Sequence, residues 1–320
     1  MRKLVSLTLI LVVLLVCQSA IFAAAAPDKQ DVAVWRLDAR NISEMPDSFR
    51  TSNSEFMRQP KDGVLPTREG MDTLYISGSS QFSEKSFDKM VSKIKEEAAG
   101  PIYIVDCRQE SHGFMDGMAV SWYSDRNWAN KGKLEGQVEK DEKARLMASL
   151  KTPPVVSDLD DNKKVKESYK LAVDNILTEK EFVTAKGLKY FRIQGTDHSS
   201  FTDDQVDDFV KFYKTLPQNA WLHFHCFAGE GRTTQAMVMV DILKNGKNVS
   251  LEEIVKRQYL IGGNDAFKVT ASKEKDAYKV ALYKEKVKML KGFYEYVTTS
   301  PDDLPLSYAK WKKQNKSQAK

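Results

Sequence analysis

The sequence predicts an α/β fold, a mostly parallel sheet flanked by helices, and three observations carry that prediction. Short apolar runs, IYIVDC (102–107), KYFRI (189–193) and WLHFH (221–225), read as strands buried on both faces. Segments of helical period alternate with them, which is the pattern of a sheet covered on each side. A composition of 42% hydrophobic and 29% charged residues is that of a globular chain with a core to bury, and not that of a disordered or repetitive one.

The elements follow in order. Residues 83–99, SEKSFDKMVSKIKEEAA, place Phe87, Met90, Val91, Ile94 and Ala98 at helical spacing. Phe82 and Phe87 form a hydrophobic staple around a cap at Ser83, and Gly100-Pro101 stops the helix. The strand 102–107 comes next. Thr202 with Gln205, and Ser250 with Glu253, have capping-box spacing and open helices over 203–216 and 251–260. The strand 221–225 runs into a helix over 233–244 that ends at Asn245-Gly246, and a long last helix covers about 273–297. Residues 109–180 break this rhythm, being polar and weakly periodic around SDLDDNKKVKESYK. They read as a smaller second domain together with 27–66, which leaves 67–108 and 181–320 as the core domain.

The first 26 residues, MRKLVSLTLILVVLLVCQSAIFAAAA, join a basic start to an apolar run and an alanine-rich end, the pattern of a cleaved secretory signal. The expected location is secreted or periplasmic, with the mature chain beginning near Ala26 or Pro27. No stop-transfer pattern follows, which disfavours a retained anchor, and Val16 before Cys17 makes a poor lipidation site. Removing Arg2 and Lys3 lowers the formal charge from +5 to +3, too mild and too evenly spread to imply nucleic acid. Cys107 and Cys226 then remain, too few for a disulfide framework. A cysteine kept unpaired in an oxidising compartment calls for a chemical reason.

That reason is legible in WLHFHCFAGEGRTT (221–234). Cys226, five intervening residues and Arg232 form a C-x5-R loop between a predicted strand and a predicted helix. The backbone N–H groups of Phe227, Ala228, Gly229, Glu230 and Gly231 are free to curl round a tetrahedral oxyanion at the helix N-terminus. Gly229 and Gly231 allow the tight path. Arg232 offers a planar fork for two phosphate oxygens, and the same positive field favours a thiolate at Cys226. Thr233 is placed to donate to the sulfur, and His225 to support the loop from behind. The competing reading, a strand-end cysteine before a plain turn, does not account for the full HCxAGxGRTT pattern.

The loop resembles the active-site signature of the protein tyrosine phosphatase superfamily. Further stretches are similar to one branch, the secreted bacterial cysteine phytases or protein-tyrosine-phosphatase-like inositol polyphosphate phosphatases. They are FRTS (49–52), REGMDTLYISGSSQFS (68–83), GPIYIVDCRQESHG (100–113), SWY with NWAN (121–130), YFRI with TDH (190–198), TLPQNAWLHFHC (215–226) and RQYLIGG (257–263). The resemblance implies a protein tyrosine phosphatase-like core joined to a small partial β-barrel domain. It also implies stepwise hydrolysis of inositol hexakisphosphate through a phosphocysteine, with no metal or cofactor.

Residue by residue, Asp197 matches the family's general acid, which protonates the leaving oxygen and then serves as base toward water. His198 matches a pocket-lining position. Asp106 matches a position near the loop and substrate, with a structural hydrogen-bonding role as its other reading. Arg50 matches a phosphate-contacting arginine, and Lys279 and Lys286, two helical turns apart on one face, match lysines that hold outer phosphates. Gln258 is a weaker candidate for orienting water. Phe227 and Glu230 depart from the residues usual in this loop, and Cys107 replaces an aliphatic one. A phosphotyrosine or general aryl phosphatase, and a non-catalytic polyphosphate-binding module, are the competing functions; the expected partner is a small inositol polyphosphate, without nucleic acid or stable membrane insertion.

Overall fold

The computed structural model describes residues 33–271 and 274–318, so the predicted leader over 1–26 lies outside the described residues. Strands β1 (Val34–Ala39), β2 (Arg50–Thr51) and β3 (Ile76–Ser79) lead to helix α1 (Glu84–Lys95). Then come β4 (Ile102–Asp106), β5 (His112–Met115), β6 (Met118–Tyr123) and α2 (Glu135–Lys151). Next are β7 (Val155–Leu159), β8 (Val165–Lys170), β9 (Ile176–Leu177), α3 (Glu179–Ala185) and β10 (Lys189–Arg192). The remaining elements are α4 (Asp203–Tyr213), β11 (Trp221–His225), α5 (Gly231–Asn245), α6 (Leu251–Leu260), α7 (Lys279–Thr299) and α8 (Tyr308–Gln318).

Five strands form one sheet in the order β10-β4-β11-β3-β2, parallel throughout except for β2. Alternation along its strands sends side chains to two cores. Val105, Leu222 and Phe224 join α4, α5, α6 and α7 on one face, while Ile102, Ile104 and Trp221 join α1 and α3 on the other. Each of these large side chains is fully or nearly buried, worth about 1.5–3 kcal/mol apiece in area removed from water. The second core carries the expected staple, with the Phe82 and Phe87 rings 4.9 Å apart. Every residue of α5 from Arg232 to Ile242 is buried, so this helix runs through the core and is not amphipathic. Its N-terminus emerges at the carboxyl ends of β4 and β11, where His225 pairs with Asp106. Sheets of this kind place ligands at that edge.

The six-stranded sheet, β8-β7-β1-β6-β5-β9, is mixed: β1 and β7 are parallel and the other neighbours antiparallel, with β8 and β9 as its unjoined edges. It draws its strands from the two ranges predicted for the smaller domain. Residues 50–58 of the first range run elsewhere: Arg50–Thr51 pairs with β3, and the Met57 amide donates to the Leu260 carbonyl at 2.8 Å. A two-residue strand carries no periodicity by which a sequence could place it.

The caps form as the spacing predicts, Thr202 and Gln205 reciprocally and Ser250 accepting from the Glu253 amide. Two helices differ from expectation. The last long helix begins at Lys279, after a 3-10 turn at 274–276, and α8 follows it. Helix α2 lies within the stretch read as weakly periodic. Its buried positions, Val138, Glu142, Leu146 and Ser149, keep helical spacing, but two of the four are polar.

Candidate active site

Cys226 is the first residue after β11 and is 3% exposed. The chain then turns through Phe227–Glu230 and enters α5 at Gly231, where the first amides of a helix lack intrahelical partners. Gly229 has φ +72°, and a Cβ there would lie 2.4 Å from the backbone of Ser79 and Ser80, so the loop presses on the end of β3 in a way only glycine permits. Around Gly231 only the Lys286 ammonium approaches, 3.5 Å from where a Cβ would stand. Thr233 is fully buried in the first turn of α5 and its hydroxyl has no hydrogen-bond partner among the described residues, as suits a donor reserved for the sulfur.

Arg50 lies behind this loop. Its guanidinium donates to the carbonyls of Ser48 and Gly229, both at 2.9 Å, and to the Thr234 hydroxyl at 3.0 Å. Only 1% exposed, and pushed down to about 10 by burial with Cys226 as the main opposing attraction, it braces the loop from behind. Thr234 passes the brace on by accepting from the Asn264 amide at 2.9 Å.

Arg232 reaches the mouth of the loop with its two terminal nitrogens engaged and its Nε without a hydrogen-bond partner among the described residues. It donates to Glu110 Oε2 at 2.6 Å, to Glu110 Oε1 at 3.0 Å and to the Gly195 carbonyl at 3.1 Å. It also stands 3.2 Å from Asp197 Oδ1. Asp197 is held from three further sides: Asn127 donates to its Oδ2 at 3.1 Å, the His198 amide to its Oδ1 at 3.0 Å, and Trp128 Nε1 to its carbonyl at 3.0 Å. Burial opposes the charge on Asp197, but Arg232 and then His198 outweigh it and hold the carboxyl well below the usual carboxylate range. Glu110 behaves alike: desolvation raises it, Arg232 and Arg108 bring it down to about 2.

The rim is basic. Lys286 is buried, and burial pushes it down to about 8 against the attraction of Asp197 and Cys226. Lys279, at the start of α7, is held 3.0 Å from Asp276. His198 is half-buried with φ +62°, its Nε2 3.7 Å from Asp197. From the six-stranded sheet, Arg36 stacks on the Phe227 ring at 3.6 Å and Lys163 approaches the same ring at 5.7 Å. Phe227 is thus a platform for two cations, while Ala228 and Glu230 are exposed and the Glu230 side chain makes no capping bond.

Two candidates are tied into the protein's own hydrogen bonds. Asp106 is fully buried and fully used: Oδ1 accepts from the Arg108 amide at 2.8 Å, and Oδ2 accepts from Tyr190 at 2.8 Å and lies 2.9 Å from Arg192 Nε. Its structural reading is the one the geometry supports, and substrate contact is withdrawn. Gln258 turns its amide donor to Asp241 at 2.9 Å, into the contact between α5 and α6, while its backbone carbonyl lies against Gly263 beside Thr234. His225 does stand behind the loop, its Nε2 2.6 Å from Glu179 Oε1 and its ring against Phe82. Asp106, His112 and Glu179 bring ligand-type atoms within 4.8 Å of one another, but Arg192 already supplies positive charge there.

Sequence reasoning assigned no role to Glu110, Asn127, Trp128, Arg36 or Lys163. The first three lie inside the stretches RQESHG and NWAN, whose likeness to the family was the available signal. Nothing local marks Arg36 or Lys163.

A thiol at the foot of a C-x5-R loop, an arginine fork at its mouth and a carboxyl beside that fork define a protein-tyrosine-phosphatase-like site. The family model described as PTP-like phytase, inositol hexakisphosphate, matches residues 105–244. The chain is 40% identical, with a TM-score of 0.84, to the PTP-like myo-inositol phosphatase from Mitsuokella multacida in complex with myo-inositol-(1,3,4,5)-tetrakisphosphate, over 90% of this chain and 50% of that one. It is 31% identical, with a TM-score of 0.69, to a PTP-like phytase from Bdellovibrio bacteriovorus, over 90% of this chain and 97% of that one. It is also 29% identical over 251 residues to the effector protein hopD2 of Pseudomonas syringae pv. tomato, covering 76% of this chain and 52% of the effector. The chain belongs to the PTP-like phytase family. It spans about half the length of the Mitsuokella and Pseudomonas chains.

Proposed function

We propose that the protein hydrolyses phosphomonoesters of inositol hexakisphosphate stepwise through a phosphocysteine. One observation carries this: Arg232, at the start of α5, stands 3.2 Å from Asp197 and within the field of Cys226, and Lys286, Lys279, Lys163 and Arg36 gather around the same groups. The Cys226 thiolate attacks phosphorus while Arg232 and the amides hold the non-bridging oxygens. The P–O bond to the inositol breaks, and its electron pair leaves with the oxygen, which takes the proton of Asp197. In the second step Asp197 accepts a proton from water, whose oxygen attacks phosphorus, and Cys226 departs as thiolate with phosphate released. Each half is an easier displacement than the direct one.

The basic rim favours a polyanion over a phosphotyrosine side chain, which needs one phosphate site and a neutral aromatic slot. A non-catalytic binding role leaves the thiol, the unpaired Thr233 hydroxyl and the Asp197 pairing without purpose. Export by the N-terminal leader belongs to the same proposal and rests on its basic, apolar and alanine-rich pattern. Among the described residues no helix is long and apolar enough to cross a membrane. The test is phosphate release from inositol hexakisphosphate against a phosphotyrosine peptide, with a chelator present and Cys226→Ser as control. Preferred turnover of the inositol substrate is expected, and preference for the peptide, or turnover by Cys226→Ser, overturns the reading.

A further inference from the structure

Cys107, which the proposed reaction does not use, has one neighbour of chemical interest. Strands β4 and β11 run parallel with Phe224 opposite Val105 and His225 opposite Asp106, so the next register partners are Cys226 and Cys107. The Cys107 amide continues the ladder by donating to the His225 carbonyl at 2.9 Å. Side-chain alternation puts both sulfurs on one face: Val105, Cys107, Leu222, Phe224 and Cys226 all belong to the core on the α5 side, whereas Ile104 and Trp221 point to the other. Adjacent strands lie about 4.8 Å apart. A disulfide spans Cα atoms roughly 4.4–6.8 Å apart. Both thiols are free and buried. After the general effect of burial, Cys226 is the strongest influence raising the Cys107 thiol, as two sulfurs close together require.

We propose that Cys107 is the resolving thiol for peroxide oxidation of Cys226, converting the loop reversibly to a Cys107–Cys226 disulfide. The inference rests on Cys226 being the reactive thiolate. Its sulfur attacks hydrogen peroxide, the O–O bond breaks, and Cys226 becomes a sulfenic acid with release of hydroxide. The Cys107 sulfur then attacks the sulfenic sulfur. The S–O bond breaks as the S–S bond forms, and the hydroxyl leaves with the Cys107 proton as water. Closure competes with the further oxidation of Cys226 to sulfinic and sulfonic acids, which thiols do not reverse.

Geometry favours a bond that forms and is also easily undone. Paired residues on neighbouring strands hold their Cβ atoms a little farther apart than a relaxed disulfide does, so closure draws in the start of the loop. Both cysteines stand one residue beyond their strands, where Cys226 begins a turn and can give. A strained disulfide of this kind has a more oxidising potential, and a small dithiol reduces it.

The test treats the purified full chain with hydrogen peroxide and then with dithiothreitol, following phosphatase activity, intact mass and the peptide map. For the wild type we expect loss of activity, a mass lower by two hydrogens, a linked pair of peptides carrying Cys107 and Cys226, and return of activity with dithiothreitol. Cys107→Val and Cys107→Ser should start with wild-type activity, gain two or three oxygens at Cys226 under peroxide, and stay inactive in dithiothreitol. A wild type that accumulates oxygens at Cys226 with no linked peptides overturns the proposal, and so does either variant recovering as fully as the wild type. The peptide map needs neither a folded variant nor turnover, so it decides the question even if the hydrolytic reading fails; an untreated wild type without phosphatase activity counts against that reading alone.

Discussion

Replacing Glu110 by glutamine removes one charge from between two arginines and leaves the shape intact. Glu110 accepts two bonds from Arg232, at 2.6 and 3.0 Å, and one from Asn127 Nδ2 at 2.7 Å, and stands 3.6 Å from Arg108 Nε. A carboxylate accepts through both oxygens; the amide of a glutamine must turn its donor toward either Arg232 or Asn127. Desolvation opposes ionisation here, and Arg232 and Arg108 overcome it, bringing the group from its ordinary 4.5 to about 2. At about 1.36 kcal/mol per pH unit, holding it there contributes about 3 kcal/mol at neutral pH. Because the folded value is the lower one, this contribution is complete above 4.5, declines as pH falls below that, and is gone once pH passes below about 2. Urea denaturation should therefore show Glu110→Gln destabilised by about 3 kcal/mol at pH 7, with the gap to wild type narrowing at pH 3. Arg232, left to Asp197 and the Gly195 carbonyl, should capture phosphate less well, lowering kcat/KM by roughly 10–100-fold for the loss of charge-assisted bonds. A gap under about 1 kcal/mol at pH 7, or one that stays constant as the solution is acidified, refutes the reasoning.

Asp197→Asn should lower kcat on inositol phosphates by roughly 10²–10⁴-fold and by less on aryl phosphates, whose leaving groups need less protonation; equal losses assign Asp197 a structural role. Lys286, at about 8, should lose its charge as pH rises through that value, so the wild-type KM for inositol hexakisphosphate should climb above pH 8 while that of Lys286→Met, already weak, stays flat. A parallel climb in both places the titration elsewhere. Lys279→Ala should weaken use of the polyphosphate and spare a small monophosphate, because Lys279 stands two turns from Lys286 on α7; parallel losses mean damaged folding. Glu230 is exposed, so Glu230→Val should change kcat/KM by less than about tenfold at low and high salt, and a larger gain that fades with salt shows its carboxylate facing the substrate.

The loop and the sheet that carries it were legible because their signals are local. An apolar run ending in cysteine, a glycine at 229 where only glycine fits, and an arginine six residues beyond the cysteine are all within one strand-turn-helix unit. Capping boxes and the Phe82–Phe87 staple are likewise pairs a few residues apart. What stayed hidden depends on distant pairing. Arg50 looks like a surface residue until β2 pairs with β3 and turns its guanidinium under Gly229. Glu110 and Arg232 are separated by 122 residues, and the carboxylate carries no local sign of the fork it holds. Helix α2 escaped notice because Glu142 occupies a buried position on its inner face, a choice explained by the Arg192 guanidinium and the His112 amide it meets, both at 3.0 Å. Polar residues facing inward break the apolar period at the very positions that build the site's support.

In the proposed reaction the same pairing accounts for how Asp197 becomes an acid although Arg232 holds it ionised at rest. Buried charges alternate from one sheet to the other: Arg36 to Asp38 at 2.7 Å, Asp38 to Arg108 at 2.8 Å, Arg108 to Glu110, Glu110 to Arg232 and Arg232 to Asp197 at 3.2 Å. Each charge has an opposite neighbour, which is the condition for keeping ions in a low-dielectric interior. Asp197 ends the chain, 22% exposed, against a terminal nitrogen of Arg232. An incoming phosphate competes for that guanidinium and sets its own negative charge beside the carboxyl. Loss of the cation and gain of the anion both favour the protonated form, so the carboxyl rises from its depressed resting value. In the proposed reaction substrate binding thus lets Asp197 take a proton from solvent water before the leaving oxygen needs it, and the release of phosphate restores the ion pair.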